Sequence, residues 1–182
     1  AEPFTRLIPG HVHMLDFHLY SALSLSVPLD AGAMNDALRQ QLNLHLDRIV
    51  TWSSENTKTF SDKEALLRAE LLRLEGEMAQ ASEYFEKAIM LSREGQFHHI
   101  NGLACELAAR MATARNMPFA AEGYSKGAIA AWDRWGAGAK VHQLETLYPA
   151  LASHHSQTAL STVSFEQSAV ISDLQSMVTV MR

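Results

Sequence analysis

Two stretches of this chain match when one is slid 39 positions along the other, and a chain that repeats at that spacing has few folds open to it. Ala69 falls on Ala108, Ala81 on Ala120, Phe85 on Tyr124 and Ala88 on Gly127. Small residues recur where two antiparallel helices must touch. An aromatic recurs where a side chain must fill the gap to the next helix pair. Repeats of this length mark arrays in which each unit buries its apolar face only by stacking on a neighbour.

The helices can be read one by one from their apolar stripes. Leu15, Leu19, Ala22, Leu23 and Leu25 keep helical spacing after Pro9-Gly10, and Pro28 stops that helix. A second helix is expected from about Met34 to Ser54, carrying Leu38, Leu42, Leu46, Ile49 and Val50. The run Ser53 to Thr57 reads as a loop. Ser61 stands three before Glu64, the spacing of a capping box, so the next helix is expected from about Asp62 to Leu74 and is broken by Gly76. Met78 to Arg93 follows, with Ala81, Phe85, Ala88, Ile89 and Leu91, and Gly95 ends the pair. The pattern then restarts with Leu103, Leu107, Ala108 and Met111. Pro118 opens a helix holding Ala120, Tyr124, Ala128 and Ala131, and Gly136 and Gly138 interrupt it before Val141, Leu144 and Leu147. Ser164 and Gln167, with Ile171, Leu174, Val178 and Met181, suggest a last helix.

This predicts an all-α fold of about seven helices, built of antiparallel pairs stacked as an α-solenoid or superhelix. Residues 1–152 form the repeat domain, 153–163 a linker, and 164–182 a C-terminal helix leading towards a downstream domain. Sliding back by 39 sets Leu42, Leu46 and Ile49 on the same face, so a degenerate pair precedes the two clear ones.

Charge narrows the function. The net charge is −5 and the Lys and Arg residues form no run, so the clustered positive face that holds a phosphate backbone is missing and nucleic acid is not expected as a partner. No stretch is long and apolar enough to span a bilayer. The single cysteine, Cys105, cannot form an internal disulfide, which gives secretion no support; a cytoplasmic chain is expected, with Cys105 as a small apolar residue on a helix. The chain opens on Ala1-Glu2-Pro3, which fits a segment cut from a longer protein or a mature chain after leader removal.

Asp62 to Arg93 resembles a tetratricopeptide repeat, with Ala69, Gly76, Ala81, Phe85 and Ala88 at that family's small and aromatic positions. The repeat's tryptophan and closing proline are missing. Tetratricopeptide domains that grip chaperone C-termini clamp a carboxylate with Lys and Asn. Here the corresponding positions are Leu66 and Glu70, then Cys105 and Ala109, so that activity is not expected.

A more specific resemblance lies in YSKGAIAAWDRWGAGAKVHQLETLYP, Tyr124 to Pro149. Trp135-Gly136-Ala137, Ala139-Lys140-Val141, Leu144-Glu145 and Tyr148-Pro149 look like a signature of the large kinase–ATPase–GAF sensor histidine kinases. Arg68 to Gly76, Ala88-Ile89, Ala104 to Arg110 and His18 to Leu25 resemble the same region of that family, which follows a protein-kinase-like domain and an AAA-type ATPase and precedes a GAF domain. Ser161 to Arg182 is similar to the helix leading into GAF, though it departs in detail. The resemblance brings no active-site residue into this chain. It implies a regulatory scaffold whose partners are the ATPase, GAF and kinase domains of the same protein.

The residues themselves offer little chemistry. Gly136-Ala137-Gly138-Ala139-Lys140 lacks the spacing of a phosphate loop, the letters G-x-S-x-G at Gly123 to Gly127 fall inside the helix opened by Pro118 and so make no strand-to-helix elbow, and no H-E-x-x-H pair occurs. His11, His13 and His18 cluster, and His98-His99 and His154-His155 are adjacent, but a structural zinc site wants four ligands and no second cluster has that spacing. Glu70, Glu75, Glu77, Glu83 and Glu86 read as a solvated helix face. No cofactor and no catalytic residue are therefore expected. Trp132 and Trp135 share a helical face, where they either plug a helix interface or form an aromatic platform. With Lys140, Glu145 and Tyr148 they are the candidate interaction residues. A segment of a sensor kinase, a free-standing adaptor that binds a peptide, and a small-molecule sensor with its ligand between helix pairs remain open, and an enzyme is the weakest reading.

Overall fold

A computed structural model describes residues 12–148. Seven helices run through the described residues: α1 Val12–Ser26, α2 Asp36–Glu55, α3 Thr57–Glu75, α4 Met78–Glu94, α5 His98–Ala114, α6 Pro118–Trp135 and α7 Gly138–Leu147. No strand occurs among them. Contacts divide the chain into two units after Ala137, so α1 to α6 belong to one unit and α7 to the other. The expected linker and the expected helix over 164–182 lie outside the described residues.

Within the first unit each helix packs on the next in sequence, closest in α3–α4 and α5–α6 and more sparsely in α1–α2. The first helix of each pair also touches the first helix of the next, α1 on α3 and α3 on α5. The buried positions follow the apolar stripes: Leu38, Leu42, Leu46 and Ile49 on α2, Ala65, Leu66, Ala69 and Leu74 on α3, Ala81, Phe85, Ala88 and Ile89 on α4. On α5 and α6 alanine is the commonest buried residue, as at Ala104, Ala108, Ala109, Ala121, Ala128 and Ala131, which lets the helix axes approach closely.

The turns between these helices repeat with a fixed step. Gly76, Gln96, Asn116 and Gly136 each take positive φ, at 86°, 59°, 55° and 80°. After each one a backbone N–H reaches back to the helix just ended: Glu77 to Leu72, Phe97 to Ser92, Met117 to Ala112 and Ala137 to Trp132, all at 2.9 Å. This is the six-to-one bond of a Schellman cap, which satisfies a carbonyl the helix end leaves open. The caps fall every 20 residues, so one helix and one turn make the unit and a pair spans 40.

That step corrects the 39-residue register read from side chains. Phe85 and Ala81, both fully buried, correspond to Ser125 and Ala121, which are also buried. Tyr124 and Ala120 are only partly covered. Matching aromatic to aromatic shifted the alignment by one residue, and the doublets Ala108-Ala109 and Ala120-Ala121 allowed it.

Three local expectations also change. A single residue, Asn56, separates α2 from α3; its N–H bonds Trp52 O at 2.9 Å, and its side chain accepts from the Thr59 N–H at 3.2 Å. The expected loop over 53–57 is therefore helix on both sides of one hinge residue. Ser61 lies inside α3 rather than capping it, with its hydroxyl 3.1 Å from that of Ser53. Glu70 is not solvated: it is buried and held by Arg73 in a two-pronged ion pair, Nε to Oε1 at 3.0 Å and Nη2 to Oε2 at 2.7 Å.

Candidate functional site

The candidate residues Trp132 and Trp135 do share one site, and they divide its labour. The Trp132 ring is buried, and its Nε1–H donates to Glu106 Oε2 at 2.9 Å. It fits because position 102 is glycine: a Cβ there would lie 2.6 Å from the ring. Trp135, one turn further, is 55% exposed. Its ring centroid stands 5.5 Å from that of Trp132 and 5.5 Å from that of His99 on α5. The inner tryptophan thus anchors α6 to α5, and the outer one offers a ring face to solvent. Trp135 ends α6 because Gly136 takes the left-handed conformation directly after it.

Behind His99 lies an ionic group that the sequence reading missed. Asp62 and Lys63, neighbours on α3, are both buried. Lys63 Nζ donates to Asp62 Oδ1 at 3.0 Å, to Asp62 Oδ2 at 3.2 Å and to the Thr59 carbonyl at 2.8 Å, and it sits 3.7 Å from the centre of the Phe97 ring. The cation is therefore surrounded by two carboxylate oxygens, a carbonyl and an aromatic face. Burial raises the Asp62 carboxyl above its ordinary value, against the pull of Lys63, and burial lowers Lys63, against the pull of Asp62. Burial also lowers His99, with the Lys63 charge acting in the same direction. Asp16 of α1 acts on both Lys63 and His99, so this group bears on all three first-of-pair helices, α1, α3 and α5. Charged residues default to solvent in a sequence reading, and nothing in the pattern of α3 marks Asp62 and Lys63 as exceptions.

The second unit holds the other candidates. Lys140 Nζ reaches Gln143 Oε1 at 3.4 Å, Glu145 and Tyr148 are partly covered, and the Tyr148 N–H bonds the Leu144 carbonyl at 2.9 Å.

The remaining sequence candidates find other settings. Cys105 is buried, and burial pushes its thiol up to about 12, far from the thiolate a nucleophile needs. Among the described residues no group of three or more His, Cys, Asp or Glu is arranged to hold a metal ion. His11 lies outside those residues, His13 is exposed, and His18 turns to His45 instead. The positions compared with a carboxylate clamp, Leu66, Glu70, Cys105 and Ala109, are all buried. No described helix is long and apolar enough to cross a membrane. The chain finds no match among protein-family models, curated proteins or solved structures.

Proposed function

We propose that this chain is a non-catalytic helical-repeat interaction module that engages another protein domain through the outer edge of the α5–α6 pair, where Trp135 and His99 meet solvent. The observation that carries the reading is the 20-residue recurrence of helix and capped turn from Gly76 to Gly136, joined to the α1–α3 and α3–α5 contacts. Units that pack on their neighbours in this way extend as a solenoid, and their surfaces serve as binding platforms. Exposed tryptophan backed by a buried aromatic suits an interface, because such rings contribute most of the energy at binding hot spots.

The resemblance of Tyr124 to Pro149 adds a setting. It supports a regulatory segment of a cytoplasmic multidomain sensor histidine kinase, tetratricopeptide-like in its stacking, that couples ATPase and GAF domains to kinase output in a two-component system. The test is to read the source gene through both ends of the chain and measure binding of this segment to the domains encoded there. Tight association that Trp135→Ala weakens by about tenfold or more supports the reading, since hot-spot truncations reach that size. Binding unchanged by Trp135→Ala moves the interface elsewhere. ATP turnover or phosphotransfer by the isolated chain contradicts a non-catalytic module.

A further inference from the structure

His18 on α1 and His45 on α2 face each other with their Nδ1 atoms 3.0 Å apart. Their ring centroids are 5.2 Å apart. That is close to the nitrogen separation plus the two ring radii, so the two Nδ1 atoms point along one line. Such a contact is a hydrogen bond between imidazoles, one Nδ1 donating and the other accepting. It is not a chelate, because a metal about 2.0–2.1 Å from both nitrogens would need their lone pairs to converge from the side. Aromatic rings enclose the pair: Phe17 stands edge-on to both imidazoles at 5.2 and 5.8 Å, and Trp52 stands edge-on to His18 at 5.7 Å. Phe60 of α3 in turn lies 5.9 Å from Trp52.

Proton counting then fixes what the contact tolerates. With both rings neutral, one proton lies between the two Nδ1 atoms. A first added proton can go to the donor ring, and the bond survives as a charge-assisted one. A second added proton puts a hydrogen on both facing nitrogens, and the contact must break. We propose that the His18–His45 pair is an acid-operated latch between α1 and α2, closed while it carries at most one added proton and released by the second. The groups around it favour release. Burial, the facing His45 and the positive charge of Arg48 on α2 all disfavour the protonated form of His18, and among the described residues no carboxylate offsets them. On α1 itself Asp16 acts on Tyr20. The charges that α3 sends towards α1, Asp62 and Lys63, are paired with each other.

The sign follows from both imidazoles lying below their ordinary value of 6.5 when folded. The stability they contribute is complete above that value and is lost as pH falls below it towards the folded values. The test is a nuclear magnetic resonance titration of the imidazole nitrogens in the whole chain. The latch requires two coupled steps, the second ring at least about tenfold less basic than the first, with the α1 amides shifting on the second step. Two independent titrations at ordinary values, or α1 amides indifferent to the second step, would overturn it. His45→Gln supplies a second arm, because its amide keeps a hydrogen bond to His18 but takes no proton. The variant should hold α1 closed through the acid range, whereas release at the wild-type midpoint contradicts the latch. If the variant does not fold, the wild-type titration decides.

Discussion

The α1–α2 pair and the two pairs that follow are joined to their surroundings by different means. From α3 to α6 the helices meet through alanines and the turns repeat as capped, two-residue or three-residue connections. The nine residues between α1 and α2 make no such cap. That connection is held by side chains from elsewhere: Arg73 Nη1 and Nη2 donate to the carbonyls of Leu29 and Ser26 at 2.8 Å, and Arg110 Nη2 donates to that of Val27 at 2.8 Å. Cations thus gather on carbonyls at and just past the end of α1, where a helix end favours them. Close backbone approach and local caps make a repeat that needs few specific side chains. Where the repeat lapses, polar links over long sequence distances replace it.

The largest expected effect cuts those links. Arg73→Leu leaves Glu70 buried without its partner and takes a donor from the carbonyls of Leu29 and Ser26, of which Ser26 keeps only the Leu29 N–H at 3.1 Å; this should cost about 3–5 kcal/mol in a denaturant titration. The loss should fall first on α1. Equal loosening of α5 and α6 would erase the contrast between the regions. Gly102→Ala attacks the other side of it, driving a methyl group into the Trp132 ring. It should cost about 1–3 kcal/mol of overall stability, read as a lowered melting temperature.

The caps sharpen the comparison at smaller scale. Gly76→Ala places an ordinary residue at φ 86° and should cost about 1–2 kcal/mol. Gln96→Gly relieves the same strain at an equivalent position. It should leave the protein between unchanged and about 1 kcal/mol more stable, since part of the gain is lost to the freer unfolded chain. If both substitutions destabilise alike, the two turns are not equivalent units. Trp135→Ala should cost about 0.5–1 kcal/mol in the same titration, because the ring is 55% exposed and loses chiefly its contacts with Trp132 and His99.

How much of this was legible in the sequence follows the same division. The helices and most of their buried faces can be read from the apolar stripes, because burial of Leu, Ile, Phe and Ala is the default outcome for an amphipathic helix. The 20-residue step was hidden, since two of its four left-handed positions are Gln96 and Asn116 rather than glycine. Of the candidate site, Trp132 and Trp135 were visible as a pair, but their split into anchor and exposed face depends on Gly102, thirty positions away. Asp62, Lys63 and the His18–His45 contact were invisible for a shared reason. Their burial is decided by neighbours on other helices, and no spacing rule along one helix carries that information.

Native-state hydrogen exchange at neutral pH tests the central contrast most directly. The amides of α1 and α2 should exchange through a partial opening of lower free energy than the one that exposes α3 to α6, because nearest-neighbour stacking lets the more sparsely packed end open first. A single opening free energy shared by the amides of all six helices would contradict the account.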